Sequence, residues 1–283
     1  MDKDAPLAPG LYVVSTPIGA ARDITLRALD VLAAADVIVA EDTRVSRRLM
    51  EIHGIRREGR PVIAYHDHNG AAQRPRILEM LEAGQSVAQV SDAGTPMVAD
   101  PGFDLARAAT EAGHAVHAVP GASSPLAALV VSGLPSDRFL FAGFLPTAEG
   151  AKRRMLEELA SVPATLIFFE SGRRCLGTVK LMESVLGDRS AAVCRELTKK
   201  FETTVRGSLG ELAAHFDGDV PKGEIVILVD RDRSVASEED RDRMLEEALK
   251  TMSVKDAARE VAGALDLPRK DVYAAALALG GRK

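Results

Sequence analysis

Ser86-Val87-Ala88-Gln89-Val90-Ser91-Asp92-Ala93-Gly94-Thr95-Pro96 decides how this chain is read. A short apolar run from Ser86 to Val90 reads as a strand and ends abruptly in an Asp, a Gly and a Thr-Pro pair. Open α/β sheets bind their ligands beyond the carboxyl ends of the strands, which is where such a strand delivers Asp92. Gly94 lets backbone approach a ligand closely. The same residue types also build ordinary strand-to-loop turns, so the decision rests on how the other strands end.

On either side of that stretch, short β-branched runs at 11–16, 37–41, 61–65 and 115–119 alternate with helical patterns, which predicts an α/β domain with a largely parallel sheet. Between the first two strands, Ile24, Leu26, Leu29 and Leu32 fall near one helical face, and Gly84 and Gly113 sit where later helices should stop. Pro120-Gly121-Ala122-Ser123-Ser124-Pro125 follows the fifth strand, with a serine placed to cap the next helix and Pro125 suited to its first turn. The domain junction is expected here. A second α/β unit then runs through strands 138–144, 164–170, 190–196, 202–207 and 224–230, with helices near 150–160, 174–186 and 209–216. The close spacing of its later strands predicts a mixed sheet.

After Val229 the composition turns polar, and helices are expected at 238–250, 254–264 and 269–279, the last two around Asp266-Leu267-Pro268 in a helix-turn-helix-like arrangement. The expected divisions are a flexible N-terminus at 1–10, an N-terminal α/β domain at 11–121, a C-terminal α/β domain at 122–231, and a linker with helical tail at 232–283.

Bulk composition narrows the function classes. A net charge of −5 over 283 residues argues against a uniformly basic nucleic-acid coat. Charge is nonetheless uneven: residues 152–206 carry eleven Lys/Arg against seven Asp/Glu, and residues 250–283 carry seven against four. Such an excess suits either a polyanion or a solvated face. Cys175 and Cys194 lack metal-ligand spacing and fit a reducing compartment. With no apolar run of membrane-spanning length and no signal-peptide core, a cytoplasmic protein without membrane contact is expected.

The other strand ends carry chemistry of their own. The first runs into Ser15-Thr16-Pro17-Ile18-Gly19, which lacks the three-glycine spacing of a dinucleotide fingerprint, and the chain holds no Gly-Lys-Ser/Thr phosphate loop. A nucleoside-type ligand without a pyrophosphate, such as S-adenosyl-L-methionine, fits that absence. The second ends in Ala40-Glu41-Asp42-Thr43-Arg44, where Arg44 could bind phosphate or simply neutralise Glu41 and Asp42. The third ends in Tyr65-His66-Asp67-His68-Asn69, which lacks a complete metal-ligand set and reads better as a polar loop offering His66, His68 and Asn69 to a ribose or phosphate. In the second unit, Phe168-Phe169-Glu170-Ser171 precedes Arg173 and Arg174, while Arg195-Glu196-Leu197-Thr198-Lys199-Lys200-Phe201-Glu202 interleaves basic residues with an aromatic, as RNA contacts require.

Five of these motifs, those at 15–19, 40–44, 65–69, 91–96 and 195–200, together resemble those of the ribosomal RNA small subunit methyltransferase I family, within the tetrapyrrole methylase superfamily. The resemblance runs from about Leu11 to Val229 and extends to the tail. It implies two α/β domains of the tetrapyrrole methylase type with a cofactor cleft between them, plus a small C-terminal helical domain. It further implies an S-adenosyl-L-methionine-dependent enzyme that methylates the 2'-hydroxyl of a cytidine in the decoding centre of 16S rRNA, as a homodimer on the small ribosomal subunit and without DNA. Carried over by motif, Pro17, Asp92, Gly94, Thr95 and Ser123 are cofactor candidates, while Arg44, His66, His68, Asn69, Glu170, Arg195 and Lys200 are expected to face the substrate. The chain departs from the family pattern at Ala20-Ala21, at Ala122 and at Gly172-Arg173, where a histidine is usual, so no base is assigned to that last loop.

The chemistry so implied is in-line displacement of the methyl group by a ribose oxygen, with Asp42, Glu41 or Lys199 accepting the proton. Two other readings stand beside it: a C-methyltransferase of corrin precursors, and a non-catalytic RNA-binding protein of ribosome assembly. The tail and the basic second domain favour RNA.

Overall fold

The computed structural model describes residues 6–56, 59–66, 68–98, 102–218, 220–232, 238–265 and 267–280. Residues 1–5 of the expected flexible N-terminus, Asp67 of the histidine loop, residues 233–237 of the expected linker and Asp266 of the tail lie outside them. Within the remainder of the N-terminal segment, Leu7 packs against the first core and the Ala8 carbonyl accepts the Tyr12 hydroxyl at 2.9 Å. The chain is therefore anchored before its first strand begins.

The first lobe is a parallel sheet of β1 (Gly10–Val14), β2 (Val37–Ala40), β3 (Val62–Ala64), β4 (Ser86–Val90) and β5 (Val116–Val119), in the order β3-β2-β4-β1-β5. Helices α1 (Leu26–Ala34), α2 (Thr43–Ile52), α3 (Gly70–Glu82) and α4 (Phe103–Glu111) connect them. Apolar side chains leave both faces of the sheet, so β1, β2 and β4 are buried along their whole length, as a sheet covered on two sides requires. The α1 face differs from expectation. Thr25 caps the helix by accepting the Ala28 amide, which sets the phase so that Ala28, Val31 and Leu32 pack inward while Leu26 is 78% exposed.

α5 (Ser124–Ser132) starts the second lobe, with Ser123 at its N-cap position and Pro125 in its first turn. Ala128 and Leu129 bury against one face of a second sheet, built from β6 (Phe139–Phe144), β7 (Thr165–Ser171), β8 (Ser190–Arg195), β9 (Thr203–Ser208) and β10 (Glu224–Val229). α6 (Glu149–Leu159), α7 (Gly172–Leu186) and α8 (Leu209–His215) cover the other face. This sheet is mixed: its order is β6-β7-β10-β8-β9, and only β6 and β7 run parallel. β10 returns from the end of the lobe to lie between β7 and β8, which places its start beside their ends.

The tail folds on itself. α9 (Glu238–Ala248), α10 (Val254–Leu265) and α11 (Arg269–Gly280) share a core of Leu245, Ala257, Ala258, Val261, Ala262, Val272 and Ala276. No helix among the described residues is long and apolar enough to cross a membrane.

Candidate active site

The central strands β1 and β4 end side by side, and their following loops are joined. Thr16 and Gly94 exchange backbone hydrogen bonds of 2.8 and 3.1 Å, forming an isolated antiparallel bridge beyond the parallel sheet. Gly94 holds φ at +83°, and a Cβ there would meet the Ile18 side chain at 3.2 Å. Only glycine adopts that backbone without cost. Next to it, the Ser15 and Thr95 hydroxyls are 3.0 Å apart and Thr95 donates to the Ala122 carbonyl at 3.0 Å. The loops after β1, β4 and β5 thus form one rigid wall. The loop after β2 joins it through the Asp42 amide, which donates to Asp92 Oδ1 at 2.9 Å.

The facing wall comes from the second lobe. After β8 the chain turns sharply, with Glu196 and Thr198 at positive φ of 50° and 62°. The Glu196 carboxylate anchors the turn by accepting the Glu224 amide at 3.0 Å and Lys199 Nζ at 3.1 Å. Thr198 then reaches across: its hydroxyl accepts the Ala20 amide of the first lobe at 3.0 Å. Gly19 makes that approach possible, because a Cβ there would lie 2.5 Å from the Lys199 side chain and 2.7 Å from the Thr198 hydroxyl.

Between the walls lies a cavity of about 400 Å³. Its polar edge is Glu41, Asp92, Gly94, Thr95 and Ser123; its apolar faces are Ile18, Phe144, Phe169, Leu197, Ile225 and Val226. Phe169 is wedged between Phe141 and Phe144, with centroids 4.8 and 5.3 Å away in edge contacts. Among the described residues the lining holds Glu41, Asp92, Glu170 and Glu224 but no Lys or Arg. Such a site suits a ligand with an apolar or aromatic body and positive charge, and it disfavours a phosphate.

The charge states separate the carboxylates. Burial, reinforced by the neighbouring Asp42 charge, pushes the Asp92 carboxyl up. Asp42 goes the other way: hydrogen bonds from the Arg44 side chain, 2.5 Å away at the closest, and from its amide hold it at about 2. So acidic a carboxylate is a poor proton acceptor at neutral pH. Burial would lower Lys199, but hydrogen bonds and charge from Glu224, 2.7 Å away, and Glu196 outweigh it and hold the amine above the ordinary lysine value. A lysine held in its ammonium form is a poor proton acceptor. Burial also pushes the Glu170 carboxyl up, yet hydrogen bonds from Arg174, Thr178 and the Ser171 amide together leave it below the usual range.

Of the residues singled out from sequence, Glu41, Asp92, Gly94, Thr95, Ser123 and Glu170 line this cavity. Pro17 lies buried in the turn between Thr16 and Ile18. The Ser123 hydroxyl makes no capping bond although it sits at the start of α5. Arg44 is spent on Asp42. Asn69 is spent on its own loop, accepting the His66 amide at 2.8 Å and donating to the Ala64 carbonyl at 3.0 Å. His66 has a buried Nδ1 with no hydrogen-bond partner among the described residues, and His68 is exposed. Arg195 donates to the Lys222 carbonyl at 2.7 Å, and Lys200 lies over the Phe201 ring at 5.5 Å. The Glu170 carboxylate points at Arg174 and Thr178, so its oxygens are already engaged. Sequence reading missed the cavity's apolar walls and the Glu196 anchor, which pairs Lys199 nearby with the Glu224 amide 28 residues distant.

Comparison with known proteins places this geometry. The profile for Tetrapyrrole (Corrin/Porphyrin) Methylases matches residues 10–213, and that of the RsmI C-terminal HTH domain matches residues 235–280. The ribosomal RNA small subunit methyltransferase I of Mesorhizobium japonicum is 52% identical over 260 residues, covering 91% of this chain and 87% of that protein. Its namesake in Erythrobacter litoralis is 46% identical over 275 residues, covering 97% and 96%. Among solved structures, the uroporphyrin-III C-methyltransferase of Thermus thermophilus, complexed with S-adenosyl homocysteine, aligns with a TM-score of 0.54 at 23% identity, covering 77% of this chain and 96% of that one. Two lobes closing on a phosphate-averse cleft, a matched helical tail and relatives aligned over nearly the whole length lead to one conclusion: the chain belongs to the ribosomal RNA small subunit methyltransferase I family, within the tetrapyrrole methylases.

Proposed function

We propose that this protein uses S-adenosyl-L-methionine to methylate the ribose 2'-hydroxyl of a cytidine in the decoding centre of 16S rRNA, acting as a cytoplasmic homodimer on the small ribosomal subunit. Family membership carries the methyltransferase class and the ribosomal RNA substrate. The observation that carries the donor is the cleft itself. Its volume of about 400 Å³ falls in the range of small-molecule sites, and its carboxylate-rich, cation-free lining fits a sulfonium and an adenine better than a phosphate.

Asp92, Gly94, Thr95 and Ser123 would hold the donor, with Ile18, Leu197 and Val226 supplying apolar surface and Pro17 setting the turn that carries Ile18. Bound there, the donor supplies an electrophilic methyl group. The chain's own residues then have three tasks. Apolar walls exclude water, the bridged loops hold the site rigid, and a carboxylate accepts the hydroxyl proton. Glu41 is the acceptor we assign, because it lines the cavity while Asp42 is too acidic and Lys199 already carries its proton. Arg44, the His66 to Asn69 loop, Arg195 and Lys200 lie outside the cavity lining and are assigned to its surroundings on the substrate side.

The experiment is a map of 2'-O-methylation along 16S rRNA from cells with and without this protein. Loss of one cytidine methyl group, restored by the purified protein and donor, is expected. An unchanged map would sink the assignment.

A further inference from the structure

A second concavity, of about 500 Å³, lies between α6 and α7 on the covered face of the second sheet. Lys152, Arg153, Arg173, Arg174 and Lys180 line it, against one carboxylate, Glu149. Arg153 and Arg173 are exposed and have no side-chain partner among the described residues. The first turns of both helices contribute to its lining, and neither start carries a side-chain cap bond. The Gly172 amide at the start of α7 is taken by the Gly223 carbonyl at 3.3 Å, so the side-chain cations, with the α6 start beside them, are what favour an anion here.

Lys152 is the more telling residue. It is 8% exposed, and its Nζ has a single described partner, the Thr178 hydroxyl at 2.9 Å, with no carboxylate in ion-pair range. Burying a cationic side chain without a counter-charge is costly unless something else compensates it. From Thr178 the contacts continue: its hydroxyl donates to Glu170 Oε2 at 2.7 Å, and Arg174 Nε donates to Glu170 Oε1 at 2.6 Å. Glu170 lines the donor cleft, whereas Lys152 and Arg174 line the basic groove. One hydrogen-bonded chain therefore couples the two concavities through the interior of the lobe.

We infer that this groove binds the phosphodiester backbone of the substrate RNA, with Arg153 and Arg173 meeting phosphates from the rim and Lys152 from the floor. The chain through Thr178 and Glu170 fixes that floor to the wall of the donor cleft. The inference rests on the ribosomal RNA reading above. It locates the RNA on α6 and α7 of the second lobe rather than on the helical tail alone.

The test uses the full-length protein and 16S rRNA, with filter binding across a range of salt and donor calorimetry alongside. Arg153→Glu/Arg173→Glu should weaken rRNA binding at least about tenfold, and the loss of two contacts should flatten the log–log salt slope by about 1.4, from roughly 0.7 per single-strand phosphate. Donor affinity should be unchanged, and Arg153→Lys/Arg173→Lys should stay close to wild type. Should charge reversal disturb donor binding, Arg153→Gln/Arg173→Gln decides by the same slope. Unchanged rRNA affinity and slope, with wild-type methylation intact, would overturn the groove alone. Wild-type protein that binds donor but not rRNA would overturn the ribosomal reading as well. Binding of inorganic tripolyphosphate that responds to charge reversal while rRNA binding does not would assign the groove to a small polyanion instead.

Discussion

Asp42 donates its backbone N–H to Asp92 Oδ1 at 2.9 Å, so the loops after β2 and β4 are held by a carboxylate that also faces the cleft. Asp92→Asn keeps an acceptor oxygen and removes the charge; Asp92→Ala removes both. The first should keep the fold and weaken donor binding, and the second should in addition lose about 1 kcal/mol of stability. The folded state holds this carboxyl above its unfolded value. Its contribution is therefore complete below the unfolded carboxyl range and is lost as pH rises through the folded one. Asp92→Asn should gain stability relative to wild type from acid to neutral pH, read by urea unfolding; a difference independent of pH would refute the charge assignment.

Glu41→Gln separates chemistry from binding. Methyl transfer to small subunits should fall about 10²–10⁴-fold while calorimetry gives a donor affinity within about threefold of wild type. A loss below about tenfold would remove Glu41 as proton acceptor and leave positioning alone.

Lys199→Arg tests the opposite claim. A permanent cation can still pair with Glu196 and Glu224 but cannot act as a base, so most activity should survive with an unshifted pH–rate profile. Collapse of turnover with intact donor binding would restore Lys199 as acceptor.

Gly19→Ala places a methyl group where the Lys199 and Thr198 side chains already stand, 2.5 and 2.7 Å away. The lobes must part locally, at a cost of about 1–3 kcal/mol, and the Ala20 to Thr198 hydrogen bond should break. Both the thermal midpoint and the donor affinity should drop; a variant indistinguishable from wild type in both would show that the lobes are not held here.

Glu170→Gln should be the most damaging to stability. Its side chain is fully buried and its Arg174 partner 30% exposed, so breaking the pair should cost about 2–4 kcal/mol after allowing for that exposure. The folded carboxyl sits below its unfolded value, so its stabilisation is present above the ordinary carboxylate range and is lost as pH falls through the lower folded value. Wild type should therefore lose stability in acid more steeply than Glu170→Gln, as measured by chemical denaturation at several pH values.

Much of the architecture was legible locally. The ten strands fall within two residues of the positions their β-branched runs predict, because alternation and turn residues act over a few neighbours. The α1 face was not, since Leu26, Leu29 and Leu32 are spaced as well for burial as Ala28, Val31 and Leu32, and the Thr25 cap decided between them. The insertion of β10 between β7 and β8 was equally hidden, because strand order depends on pairings made far along the chain.

The sequence by itself determined that two α/β units end their strands in loops rich in Asp, Glu, Gly and Ser, without a dinucleotide fingerprint or a Gly-Lys-Ser/Thr phosphate loop. Those properties are contiguous, so they can be read from a single stretch. Only the tertiary structure decided which partners surround each charged side chain. Lys199 is held above the ordinary lysine value by Glu224, 25 residues away, and Glu170 is kept ionised by the Arg174 charge and by hydrogen bonds from Arg174 and Thr178. A side chain's charge state follows from the partners that surround it in space, and those partners are assembled by folding.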